Sequence, residues 1–82
     1  MGRRRITRDR VAQAFGNALV RARTDAGMTQ EQLANAAGLH RTTIGLFERG
    51  LKCPVLDTVI RLSEALRCTP SDLVRSTVAL LS

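Results

Sequence analysis

Between Thr29 and Gly50 the chain reads TQEQLANAAGLHRTTIGLFERG, and this stretch decides the fold. Thr29 is placed to cap a helix, and Gln32 three residues later completes a capping box. Leu33, Ala34 and Ala37 then share one helical face, which predicts a short helix from about Gln30 to Ala37. The chain breaks at Gly38-Leu39-His40, where Gly38 permits the positive φ of a sharp turn. A second helix follows from about Arg41 to Arg49, with Ile44 and Phe47 inward and Gly50 closing it. Leu33, Ala37, Leu39, Ile44 and Phe47 supply the apolar positions that two steeply crossing helices require, and Ala34 supplies the small residue at their crossing. Arg41, Thr42, Gly45 and Leu46 are left on an outer face.

The pattern extends to both sides. Val11, Phe15, Ala18, Leu19, Ala22 and Ala26 follow one helical face from about Asp9, and Gly27 ends that helix. The loop Leu51-Lys52-Cys53-Pro54 leads to a fourth helix, about Leu56 to Leu66, apolar on a broad front at Leu56, Val59, Ile60, Leu62 and Leu66. Thr69-Pro70-Ser71-Asp72 is a fifth helix start, with a cap, a proline in the first helical position and an acid in the third. Leu73, Val74, Thr77, Val78 and Leu81 form its stripe. No strand pattern or repeat interrupts this. The expectation is an all-α protein of five helices: a flexible basic arm at residues 1–8 and one domain at 9–82, with its two-helix unit at 30–49.

Eighty-two residues suit one small domain, and 44% apolar content with two aromatics, Phe15 and Phe47, makes its core aliphatic. A separate sensing domain does not fit, so no small-molecule ligand is expected. The net charge of +6 is uneven: residues 1–10 carry +4 through Arg3, Arg4, Arg5, Arg8 and Arg10 against Asp9. From Cys53 onward, Arg61, Arg67 and Arg75 balance Asp57, Glu64 and Asp72. This asymmetry suits a polyanion on one side and a protein contact on the other. For the arm, a minor-groove contact and a merely solvated terminus stand as equal readings.

Cys53 and Cys68 lie 15 positions apart with no CxxC pair, and His40 is the one histidine, which argues against a metal site. Cys68 is read as filling a small core site. Cys53 lies in a loop, with a redox role as the less favoured reading. No apolar run follows MGRRRITRDR and no segment approaches the ~20 residues of a membrane span, so the expected setting is cytoplasmic and reduced, with no membrane partner. No paired carboxylates in an apolar setting, Cys-His arrangement or phosphate-cradling glycine loop is present, so no catalytic residue and no cofactor are assigned.

The unit resembles the helix-turn-helix of the phage repressor and Cro type, the Xre family, and the resemblance covers about Leu19 to Val74. Arg23-Thr24-Asp25-Ala26-Gly27-Met28-Thr29-Gln30 looks like the family's R-x-x-x-G-hydrophobe-S/T-Q segment, and Phe47-Glu48-Arg49-Gly50 looks like its hydrophobe-E-R/N-G exit. Pro54 to Leu66 resembles its P-S-L-x-T-L helix. Three positions depart from the pattern: Val55 stands at the usual serine cap, Arg67 stands where glycine is common, and Gly45 lies within the outer helix. The resemblance implies a five-helix lambda-repressor-like DNA-binding domain, and an ion pair between Arg23 and Glu48 that serves structure. The short chain and the Arg41-Thr42 pair also resemble the controller proteins of restriction-modification systems.

A helix-turn-helix can place its second helix in the major groove of double-stranded DNA. On that reading Arg41 is the first base reader, able to meet guanine O6 and N7 with two donors; a phosphate contact is its alternative. Thr42 offers a hydroxyl and a methyl to a base edge, or is simply solvated, and Leu46 lies beside it on the outer face. Thr43 is read as a phosphate contact or local cap, and His40 as a cap that touches the DNA backbone or nothing. Gln30 is implied by the resemblance to bind a phosphate at the start of the first of the two helices. Arg49 and Lys52 are placed over the backbone.

One recognition helix reads few base pairs, and the stripes of the fourth and fifth helices exceed what a small core covers. Leu56, Leu62, Val78, Leu80 and Leu81 are the candidates to face a second copy. A homodimer on a (pseudo)palindromic operator, acting as a transcriptional repressor or repressor-activator, answers both points. The alternative reading is an antitoxin that neutralises a toxin and autoregulates through DNA.

Overall fold

The computed structural model describes residues 5–81, so the expectations for Arg3 and Arg4 lie outside the described residues. Five helices follow in order: α1 (Arg8–Asp25), α2 (Gln30–Ala37), α3 (Arg41–Glu48), α4 (Leu56–Ala65) and α5 (Pro70–Ala79). No strand occurs among the described residues. Helix α1 packs against α3 and α5, α2 against α3 and α4, and α4 against α5. The core between them holds Phe15, Leu19, Leu33, Ile44, Phe47, Leu62 and Leu73. Phe15 and Phe47 meet edge-to-face with ring centroids 6.1 Å apart, joining α1 to α3.

Short-range chemistry sets the helix ends. Thr29 accepts from the Gln32 amide at 3.0 Å while the Gln32 side chain accepts from the Thr29 amide at 2.9 Å, the reciprocal box expected from sequence. Thr69 and Asp72 repeat the device at α5. The backbone and side-chain hydrogen bonds from Thr69 hold the Asp72 carboxyl below its ordinary value. Helix α1 starts one residue earlier than expected, at Arg8, because Thr7 caps it by accepting from the Arg10 amide. Val55 gives α4 no side-chain cap, in line with its departure from the family pattern.

The turn between α2 and α3 passes through Gly38 at φ +70°, and the Leu39 amide donates back to the Ala34 carbonyl at 2.8 Å. Helix α4 ends in the same way but through Arg67, at φ +59°. The Cys68 amide donates to the Ser63 carbonyl at 2.9 Å, fixing that left-handed residue in place. A side chain in this region costs ~1–2 kcal/mol. Arg67→Gly therefore stabilises the domain by ~0.5–1 kcal/mol, the relief being partly offset by the greater freedom of glycine in the unfolded chain. Urea titration followed by circular dichroism measures the shift in midpoint.

The apolar stripes of α4 and α5 are divided more sharply than the sequence indicated. Leu62 is fully buried, which corrects its placement among residues facing a second copy; it lies on the side of α4 turned to α2 and α5. Val74 and Val78, read on one stripe with Leu73 and Thr77, with Val78 also a candidate to face a second copy, are 49% and 57% exposed, and the core face of α5 is Leu73 and Thr77. Leu56 and Ile60 are also exposed. Cys68 packs against the core edge, where burial and then the Asp72 carboxylate push its thiol up. Arg10 ties the two ends of the described chain together, donating to the Arg5 carbonyl and to the Leu81 carbonyl, each at 2.7 Å.

Candidate nucleic-acid interface

Helix α3 is held from behind by one carboxylate. Glu48 is 5% exposed and receives three donors. Arg23 Nε donates to Oε2 at 2.6 Å, Arg23 Nη2 to Oε1 at 3.2 Å, and Gln30 Nε2 to Oε1 at 2.9 Å. Arg23 Nη1 also donates to the Met28 carbonyl at 2.9 Å. One guanidinium thus joins α1, the α1–α2 turn and the last residue of α3. The hydrogen bond to Glu48 outweighs burial and holds Arg23 above its ordinary value, so it stays charged. The expected Arg23–Glu48 pair is present, and its fork geometry gives it two parallel bonds.

Gln30 is the partner that spacing alone did not reveal. Its amide nitrogen faces a carboxylate, which accepts only, so the side-chain orientation is fixed at the start of α2. From there Gln30 lines a shallow concavity together with Arg41, Thr42, Gly45 and Arg49. No acidic residue lines it. Arg41 and Thr42 are exposed at the first turn of α3. Arg49 is the C-terminal cap of α3, and its Nε donates to the Gly45 carbonyl at 3.3 Å, folding the side chain back along the helix.

The remaining expected residues lie outside this concavity. His40 occupies the capping position of α3 but makes no side-chain capping bond. Thr43 and Leu46 are half-buried, and Lys52 is exposed in the loop beyond α3. Among the described residues no group of three or more His, Cys, Asp or Glu side chains is placed to hold a metal ion. No helix of the described residues is long and apolar enough to cross a membrane.

Gly16 stands outside the sequence patterns that mark the two-helix unit, yet it sets how α1 meets α3. It is buried in α1 where α3 crosses, and an added Cβ would run into the backbone carbonyl oxygen of Phe47 and come within 2.9 Å of that of Glu48. The signal was a glycine in the middle of a strong helical pattern, a choice that costs propensity unless close approach requires it.

A two-helix unit with its second helix facing outward, braced from behind by a buried ion pair, defines a helix-turn-helix domain. The chain belongs to the helix-turn-helix family HTH_3, whose family model matches residues 19–73. It is similar to Control protein C.BamHI of Bacillus amyloliquefaciens, at 45% identity over 47 residues, 57% of this chain and 58% of that protein. The match thus spans a little over half the length of that relative. Among solved structures it resembles the restriction-modification controller protein C.AhdI from Aeromonas hydrophila, with a TM-score of 0.74 and 37% identity over 76% of this chain and 94% of that one. The clp gene regulator ClgR from C. glutamicum superposes with a TM-score of 0.83 at 25% identity, covering 88% and 92% of the two chains.

Proposed function

We propose that this chain is a sequence-specific, double-stranded-DNA-binding transcriptional regulator of the controller type, without catalytic activity, acting in the cytoplasm. The observation that carries this reading is the acid-free concavity on the outer side of α3, where Gln30, Arg41, Thr42, Gly45 and Arg49 meet. A duplex presents phosphates at its edges and hydrogen-bonding base edges at its floor, and this surface offers donors for both. Similarity to the restriction-modification controller protein C.AhdI and to Control protein C.BamHI supports the class.

In this reading Arg41 and Thr42 meet base edges in the major groove, with Leu46 beside them. Gln30, His40, Thr43, Arg49 and Lys52 position the helix on the phosphates. The active unit is a homodimer on a (pseudo)palindromic operator. Its support is the exposed apolar set Leu56, Ile60, Val74 and Val78 on α4 and α5, of which Val74 and Val78 line an apolar groove with Ile6, Val11, Pro54 and Leu81. Sedimentation that finds only monomer at high protein concentration contradicts this assembly.

The test is fluorescence anisotropy on duplexes from the region upstream of the chain's own gene, at several salt concentrations, with scrambled duplexes alongside. Arg41→Ala loses ~1–3 kcal/mol of affinity for the preferred duplex and little for scrambled DNA. Lys52→Ala weakens both alike and lowers the salt slope by about one. Wild-type binding that does not distinguish the two kinds of duplex overturns the proposal.

A further inference from the structure

The described glycines other than Gly45 each answer a need of the fold. Gly16 admits the backbone of α3, and Gly27, Gly38 and Gly50 take positive φ. Gly45 answers none. It lies in the body of α3 with no positive φ, and a Cβ built on it meets nothing within 4 Å. Alanine would fit there and would favour the helix. The fold is therefore weakened at this position without any gain inside the molecule.

The gain lies outside it. Gly45 lines the concavity, with Arg41 and Thr42 before it in α3, Arg49 after it and Gln30 contributed by α2. Arg49 donates to the Gly45 carbonyl, so its side chain lies along the rim. Arg41, Gly45 and Arg49 stand four residues apart on one helical face, so the missing side chain leaves a notch between the two arginines on the face assigned to DNA. Glycine at such a place is what close approach of another backbone or ligand requires.

We infer that Gly45 is a specificity-determining residue: its missing side chain lets a base-pair edge in the major groove reach the backbone of α3 between Arg41 and Arg49. The inference rests on the DNA-binding reading and adds to it a position that selects by space instead of by hydrogen bonding. Thr42, whose side chain carries a methyl, lines the same concavity, so an apolar group on a base edge, such as a thymine methyl, suits it.

Gly45→Ala and Gly45→Ser separate this from a structural role. Thermal unfolding of Gly45→Ala is expected at a melting temperature higher by up to ~4–8 °C, the helix gain for a domain of this size. Its affinity for the preferred duplex falls at least about fivefold, the lower end of what one methyl inserted into a close contact costs. Gly45→Ser falls further on the preferred duplex, and both variants lose less on scrambled DNA, where phosphate contacts supply the affinity. Gly45→Ala that binds the preferred duplex within about twofold of wild type overturns the inference, since an added methyl at a close contact costs more than that. A lowered melting temperature overturns it too, by giving the glycine a structural purpose. A wild type that shows no preferred duplex overturns instead the reading beneath it, and does so before any variant is made.

Discussion

Glu48→Ala is expected to cost about 3 kcal/mol of folding stability, the low end of the ~3–5 kcal/mol range for removing one partner of a buried ion pair. The low end applies because Arg23 is 19% exposed and keeps a path to water. The carboxylate accepts from two side chains at once, so its loss leaves both the Arg23 guanidinium and the Gln30 amide without their acceptor. For an 82-residue domain, with total stability on the order of 4–12 kcal/mol, the change is large. Glu48→Gln keeps the shape and one acceptor oxygen and loses less. Urea unfolding followed by circular dichroism checks both variants. An unchanged midpoint for Glu48→Ala shows that α3 does not depend on this brace.

Gly16→Ala is expected to cost ~3 kcal/mol, the upper end for overpacking, because the atoms in the way are backbone and cannot rotate aside. Relief requires α1 and α3 to move apart, which loosens the edge-to-face contact of Phe15 and Phe47 and shifts α3 relative to the rest of the domain. The substitution should therefore lower DNA affinity even under conditions where the protein remains folded, whereas alanine is ordinarily favoured over glycine in a helix. Thermal unfolding and anisotropy on the same sample measure the two effects. A melting temperature equal to or above that of wild type contradicts the close crossing.

What the sequence disclosed was mainly local. The capping boxes at Thr29 and Thr69 and the turn at Gly38 depend on residues three or four apart, and their chemistry is readable in a window of four or five residues. The family pattern carried the Arg23–Glu48 pair across a longer distance, and it also marked Arg67 as a departure, which the structure places in the left-handed region. Long-range geometry was not legible. Gly16 has its reason in carbonyls of α3, and Gln30 gains its fixed orientation from a carboxylate 18 positions away. Leu56 and Leu62 look alike on an apolar helix front, yet one is exposed and the other buried, because the rotation of α4 against α2 and α5 decides between them. The outer residues of α3 were legible as a set, but the meeting of Arg41, Thr42, Gly45 and Arg49 with Gln30 of α2 in one concavity needed coordinates.

In the proposed complex α3 enters the major groove as one of a symmetric pair. Methylation interference on an operator duplex tests it most directly, because guanine N7 lies in the major groove and adenine N3 in the minor groove. The bound fraction is expected to be depleted of duplexes methylated at guanine N7 in two clusters, with centres about 34 Å apart along the duplex. Interference confined to adenine N3, or none at either position, would contradict it.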